Sequence, residues 1–404
     1  MTTISDPPQE SFRPSMLLSD TRYRSITFQV IALALLLTAI WYLGSNLAAN
    51  LRAAGLNISF QFLGNPAGYD INQTLIPYTS QSTNLQAAWV GIINTLLVSF
   101  LACITATIFG VIAGVLRLSN NWLVRKLMAG YVEIFRNIPV LIWILIIYTI
   151  MTAAMPAPSA FRGDDPASSM MLGSFAFTNR GVYIPGPVMG PGSFIVVATF
   201  VASVIGVFAY RRYATKLLYD TGRLLPMLWP SVAILLVPTI VMFFILGMPI
   251  GLDYPALKGF NFQGGIQIGA PLIALWFALS IYTGAFIAEN VRAGIQAVSR
   301  GQTEAAAALG LRSGRIMNLV VLPQALRVII PPLISNYLNI TKNSSLAILV
   351  GYADITATLG GITLNQTGRA IECVVLLMLF YLVISLGISM VMNVYNNATK
   401  LKER

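Results

Sequence analysis

The chain has 404 residues, 56% of them hydrophobic and only 10% charged, with a mean hydropathy of +0.74. A water-soluble protein of this size cannot cover that much apolar surface, so the composition specifies a polytopic membrane protein. The formal charge of +11 would suggest nucleic acid as partner of a soluble protein, but in a membrane protein it reflects cytoplasmic Lys and Arg.

Residues 1–25 are polar, with Pro7, Pro8, Pro14, Arg13, Arg22 and Arg24, and read as a flexible cytoplasmic tail. Residues 26–46 form a first transmembrane helix. The small Ala48 and Ala49 would suit a signal-peptide cleavage site, but the apolar run is longer than such peptides use, and the helix is read as retained. Residues 47–85 carry only Arg52 and Asp70 as charges and read as a periplasmic loop. Residues 86–155 contain a second crossing over about Gln86–Leu118 and a third over about Ala129–Met155, which includes YVEIFRNIPVL.

Residues 156–269 begin with a Pro- and Gly-rich external loop that holds Arg162, Asp164, Asp165 and Arg180. A fourth helix over about Ser193–Tyr210, a fifth over about Leu228–Met248 and a second external loop with Asp253 and Lys258 complete this stretch. Residues 270–397 supply a sixth helix, about Ala270–Val291 with an extension to Val298, and a cytoplasmic loop over 299–327. A seventh segment begins near Val328, is expected to break at Pro331-Pro332, and continues through TKNSSLAILVG. The eighth helix, about Ile371–Val394, leads into a basic tail over 398–404. The fold class is therefore all-α and polytopic, with about eight transmembrane helices. Eight crossings put both termini on one side. Most Lys and Arg residues fall on that side, which makes it cytoplasmic and leaves nucleic-acid binding unnecessary.

Within the 299–327 loop, Gln302 to Leu309 consists of strong helix formers, and Gly310 follows where a left-handed residue ends a helix. A short helix with Ala305 and Ala306 on its face has too little apolar bulk for a core of its own, but it lets another protein approach closely. It is read as a docking knob, the alternative being an ordinary Ala-rich connector. The spacing of Glu304, Ala305, Ala306, Gly310 and Leu322-Pro323 resembles the "EAA" loop of the membrane subunits of bacterial ABC importers. The resemblance implies that Gln302, Glu304, Ala305, Ala306, Gly310 and Arg315 couple the chain to a separate ATPase.

Longer blocks resemble the polar amino acid branch of these permeases. They are IYTGAFIAENVRAGIQAVSRGQTEAAAALG from Ile281, YVEIFRNIPVL from Tyr131 and ITKNSSLAILVG from Ile340. Phe286 stands where that branch has Tyr, and Ala293 where it has Gly. The resemblance implies a type I importer core made of 86–155 and 270–397, to which this chain adds an N-terminal helix and two inserted ones. It is most similar to the Q subunit of general L-amino acid importers. Implied partners are ABC ATPase subunits, a second paralogous permease, a periplasmic amino acid binding protein and membrane lipid. The implied place is the bacterial inner membrane.

The chemistry expected of the chain itself is small. There is no His to act as base or metal ligand, and Cys103 and Cys373 lie far apart in apolar runs. No G-x-x-x-x-G-K-[ST] is present, and Lys342 lacks the preceding glycines, so no cofactor is expected on this chain and ATP with Mg belongs to a partner. A charge within the membrane is costly and is normally paired or faces a water-filled route. Glu289 with Arg292, and Glu133 with Arg136, are three apart and are read first as structural ion pairs. Lys342, Asn343, Ser344 and Ser345 follow the proline-bearing helix and are candidates for the translocation path, with Asn94, Ser280, Thr283 and Glu289 as further ones. An ion-coupled secondary carrier or a non-transporting membrane scaffold remain alternatives at this level.

Overall fold

The computed structural model describes residues 21–399 except 54, 56–57, 164–165 and 224. Most of the expected N-terminal tail, residues 400–404 of the C-terminal one, and Asp164 and Asp165 lie outside the described residues. The chain divides between Gln61 and Phe62 into two units. The first holds α1, Thr21–Ala53, a helix of 33 residues. At about 1.5 Å per residue it is about 50 Å long, well beyond a hydrocarbon core of about 30 Å. The span expected over 26–46 is therefore longer at both ends, and residues 47–53 are helical rather than part of the expected loop.

In the second unit, α2 (Asn84–Leu116) starts at Thr83, whose hydroxyl accepts the Gln86 N–H at 3.2 Å. The crossing expected as one helix over 129–155 is two: α3 (Trp122–Asn137), then α4 (Val140–Thr149), prolonged by a π-helical turn to Ala154. They meet at 103°. Pro139 has no N–H to continue the ladder, and it holds Ile138 extended at φ −105°, ψ 131°. Asn121 caps α3 by accepting the N–H of Leu123 at 3.0 Å and that of Val124 at 3.3 Å. α3 carries Arg125, Lys126, Glu133 and Arg136 among apolar residues, while α4 is apolar throughout. An amphipathic helix that meets a spanning one near a right angle has the form of an interfacial helix.

The segment after α4 forms β1 (Ala176–Thr178), β2 (Gly181–Ile184) and β3 (Gly186–Met189), and then α5 (Ser193–Thr221) and α6 (Leu228–Ile245). The chain returns through β4 (Ile250–Asp253), β5 (Ala256–Lys258), β6 (Asn261–Gln263) and β7 (Ile266–Gly269). The loops expected as irregular thus contain strands. Their pairing is nested: β3 with β4, and outside it β2 with β7, both antiparallel, with Gly181 opposite Gly269. The insertion therefore closes on itself, and the chain enters α7 (Ala270–Gln296) beside the point where it left. An excursion closed this way can be long without displacing the helices on either side.

After α7 come α8 (Arg300–Ala308), the short α9 (Ser313–Ile316), and α10 (Leu322–Asn343), which continues helically through Pro331 and Pro332. The expected break at the prolines is absent. The helix instead tightens into a 3₁₀ stretch over Ser344–Val350, ends at Gly351, and is followed by π-helical turns over Thr356–Thr363. α11 (Leu364–Thr367) and α12 (Ala370–Thr399) complete the chain. Among the described residues, seven helices are long and apolar enough to cross a membrane, or eight if the bent α3–α4 pair counts as one span.

One buried cluster joins α2, α4, α7 and α10 through Val98, Ala102, Ile144, Leu275, Leu279 and Ile340. By contrast α5, α6 and α12 expose large side chains such as Phe208, Trp229, Phe244 and Met390, as helices solvated by lipid do. α2 and α7 approach closely because small residues face each other. A Cβ added at Gly114 of α2 would stand 2.7 Å from the Ala288 carbonyl oxygen of α7 and 2.8 Å from the Val291 Cβ. Gly114→Leu should overpack this contact by about 1–3 kcal/mol and lower the melting temperature of the detergent-extracted chain. Gly130→Ala on α3, where nothing lies within 4 Å, should leave it unchanged or raised.

Candidate functional site

The loop between α7 and α10 is built around an exposed helix. Of the expected coupling residues, Gln302, Glu304, Ala305, Gly310 and Arg315 are exposed, while Ala306 is buried on the inner side of α8. The end of the helix is fixed by Gly310 at φ +78°, a conformation that costs glycine nothing. The Gly310 N–H bonds the Ala307 carbonyl at 2.9 Å and the Leu311 N–H bonds the Ala306 carbonyl at 3.3 Å. That double closure makes a rigid stop from which Leu309 projects, 82% exposed. Gln324 at the start of α10 donates to the Gln302 side chain and, at 3.0 Å, to the Val320 carbonyl, tying α8 to the helix that follows. The result is a short, capped helix with a small-residue face, anchored to the helix that follows.

At the same end of the bundle, Glu289 of α7 binds two guanidinium groups, Arg117 after α2 and Arg292 one turn on. Arg292 Nε reaches both Glu289 oxygens at 3.2 Å. Sequence spacing points to Arg292 but not to Arg117, which lies 172 positions away. The second expected pair does not form: Glu133 accepts from Asn137, and Arg136 stands 5.2 Å over the Phe286 ring. Arg136 therefore uses the aromatic position that departs from the family pattern.

The path candidates are not gathered in one place. Ser280 shares a 2.5 Å hydrogen bond with Thr105 of α2 and donates to the Trp276 carbonyl at 2.7 Å. Thr283 is buried in α7. Ser344 and Ser345 bond back to the carbonyls of Thr341 and Lys342, each at 2.7 Å, while Lys342 projects exposed at the end of α10. Asn94 is fully buried at the end opposite α8, where its amide donates to Gln73 at 3.0 Å and Ala353 at 2.9 Å.

Around Asn94 the turn after α10 docks on α2. The Tyr352 hydroxyl donates to the Asn94 carbonyl at 3.0 Å, and the Ile355 N–H donates to the Thr95 hydroxyl at 3.1 Å. Asp354, fully buried, accepts the Ala357 N–H at 2.8 Å and leaves Oδ2 without a partner. Asp354 is not among the charges that the sequence singles out within the spans. The signal for it is an acid directly after the Gly351 stop in an otherwise apolar run. No group of His, Cys, Asp or Glu among the described residues is arranged to hold a metal ion.

Comparison with known proteins bears on this arrangement. Residues 195–400 match the family model of the "binding-protein-dependent transport system inner membrane component". The glutamate/glutamine/aspartate/asparagine transport system permease protein of Rhodobacter capsulatus is 51% identical, with all of both chains covered. The general L-amino acid transport system permease protein of Rhizobium johnstonii is 41% identical over 98% of this chain and 96% of its own. A probable glutamine ABC transporter permease protein of Bacillus subtilis is 31% identical over 56% of this chain and 94% of its own, so a much shorter chain covers about half of this one. The chain thus belongs to the inner membrane components of binding-protein-dependent transport systems, and among them to the permease subunits of amino acid ABC importers.

Proposed function

We propose that the chain is one permease half of an importer driven by separate ABC ATPase subunits. It lies in the bacterial inner membrane with both termini in the cytoplasm, pairs with a paralogous permease, and receives L-amino acids from a periplasmic binding protein. The names of the Rhodobacter and Rhizobium relatives support L-amino acids as the class carried. The observation that carries the coupling reading is α8, exposed, Gly-capped and tied by Gln302 to Gln324. ATP and Mg bind the partner. In this division 86–155 and 270–397 act as the transport core, and 156–269 is an added, self-closed element.

Shifting a two-state permease from 1:99 to 99:1 takes about 5.5 kcal/mol of differential binding. A docked ATPase that moves α8 delivers this through α7, because α8 follows Gln296 after only three residues. Of the path candidates, the exposed Lys342 beside Asn343 and Ser345 presents charge and hydroxyl to the route. Asn94, Ser280, Thr283, Ser344 and Glu289 shape its walls through partners within the chain.

Gly310→Pro, which cannot hold φ +78°, and Glu304→Lys should each cut amino acid uptake by about tenfold or more, with normal amounts of chain in the membrane. Normal uptake in both overturns the coupling reading. Glu289→Gln leaves two guanidinium groups uncompensated and should cost about 3 kcal/mol in thermal stability, part of which Arg117→Gln in the same chain should restore.

A further inference from the structure

α5 and α6 form a hairpin within the insertion. Both are long and apolar enough to cross a membrane, and both meet the strands at one end, so the turn between them lies at the other face of the membrane. The two helices differ in length, with 18 residues in α6 and 29 in α5. The stretch of α5 from Ser193 to Tyr210 holds no charge and rises about 27 Å, close to a hydrocarbon thickness of about 30 Å. The rest of α5 continues the same helix out of that layer and carries Arg211, Arg212, Lys216 and Asp220, and Arg223 follows just past its end.

Helical spacing sorts α5 into two faces. Val196, Ser203 and Ala214 are buried, and beside them Tyr210 and Arg211 fasten α6: the Tyr210 hydroxyl donates to the Pro226 carbonyl at 2.8 Å and Arg211 Nε donates to the Ser231 hydroxyl at 3.4 Å. On the opposite face Phe194, Val201, Ile205 and Phe208 form one exposed row, as side chains solvated by lipid do. Arg212, Lys216 and Tyr219 continue that row at the same helical spacing and are exposed as well. The cations therefore stand in line with the side chains that acyl chains touch. Neither Arg212 nor Lys216 makes an ion pair or a hydrogen bond among the described residues, and Asp220, the only acid between β3 and β4, does not neutralise them through an ion pair. Tyr213 and Trp229, both exposed, lie at the same depth, where amphipathic rings favour the headgroup layer.

We propose that this end of α5 binds an anionic phospholipid, with its phosphate between Arg212 and Lys216 and an acyl chain along Phe208 and Ile205. The guanidinium offers a planar fork of donors and the ammonium a point charge, and both suit a phosphate. A lipid fits this face better than a protein segment does, because the apolar row and the cations follow one another on a single helix face at the depths of chain and headgroup. A zwitterionic lipid brings its own ammonium beside the two cations and gains less than an anionic one. The site does not depend on what the importer carries. It gives the added hairpin a partner of defined charge, where the core helices have one another.

The test places the full chain in phosphatidylcholine nanodiscs with a trace of phosphatidylglycerol that carries a photoreactive diazirine on its acyl chain, and maps the labelled peptides by mass spectrometry. Labelling of the α5 peptide with Ile205 and Phe208 should exceed that by the phosphatidylcholine form of the same probe by about twentyfold, at about fivefold for each basic residue. Arg212→Gln combined with Lys216→Gln should bring the phosphatidylglycerol signal down to the phosphatidylcholine level. Arg212→Lys combined with Lys216→Arg should keep most of it. Both residues are exposed, so the melting transition should not move. Equal labelling by the two probes, or an unchanged signal in the double Gln variant, would overturn the site. So would loss of the signal to excess inorganic phosphate, or a cross-link from this face to a second protein chain in place of lipid. The two probes are compared on wild-type chain, so a folding defect in a variant leaves the decision standing.

Discussion

The contact between α2 and α7 sets the rest of the molecule. Lipid is as apolar as the helices it surrounds, so two spans associate only where their surfaces fit better than lipid fits either. Here Gly110 and Gly114 face Gly284, Ile287 and Ala288, so the backbones come together. The polar closures lie along the same seam: Thr105 with Ser280, and Arg117 with Glu289 at its end. α4 and α10 share this pair's buried cluster, while α3 packs through Tyr131, whose hydroxyl donates to the Ile281 carbonyl at 2.6 Å. A bulkier side chain in the seam would therefore displace several helices at once.

α7 also joins the two ends of the bundle. Its first residue donates its N–H to the Arg180 carbonyl at 3.2 Å, and its last is separated from α8 by only three residues. A helix of 27 residues is about 40 Å long, so α7 itself links the Ala270 end of the bundle to the end that carries α8. The insertion respects this arrangement. Its strands pair with one another and bring the chain back to the head of α7, so α5 and α6 are added at the side and expose their apolar faces to lipid.

Much of this was legible because the signals are local. Hydropathy located the long spans, and strong helix formers ending at Gly310 located α8. Four kinds of feature were not legible. The 103° corner at Pro139 reads as one span because α3 carries enough apolar residues to resemble membrane sequence. Pro331 and Pro332 suggest a break, but the helix continues through both, on an exposed face, and the stop comes later, at Gly351. The strands of 156–269 are three or four residues each, too short for a periodic pattern, and two of their pairings, β2 with β7 and β3 with β4, lie across two transmembrane helices. Arg117 with Glu289, and Arg180 with Phe260, are contacts made by tertiary structure, so no spacing rule finds them.

The coupling proposed for α8 makes transport depend on a partner that grips this helix. The most direct measurement is to tag the full chain, extract it gently from its native membrane, and identify what remains bound. Recovery of an ABC ATPase and a second permease chain in fixed proportion is the expected result. A chain that purifies alone, retains its fold and still carries amino acids across a reconstituted bilayer without ATP would contradict it.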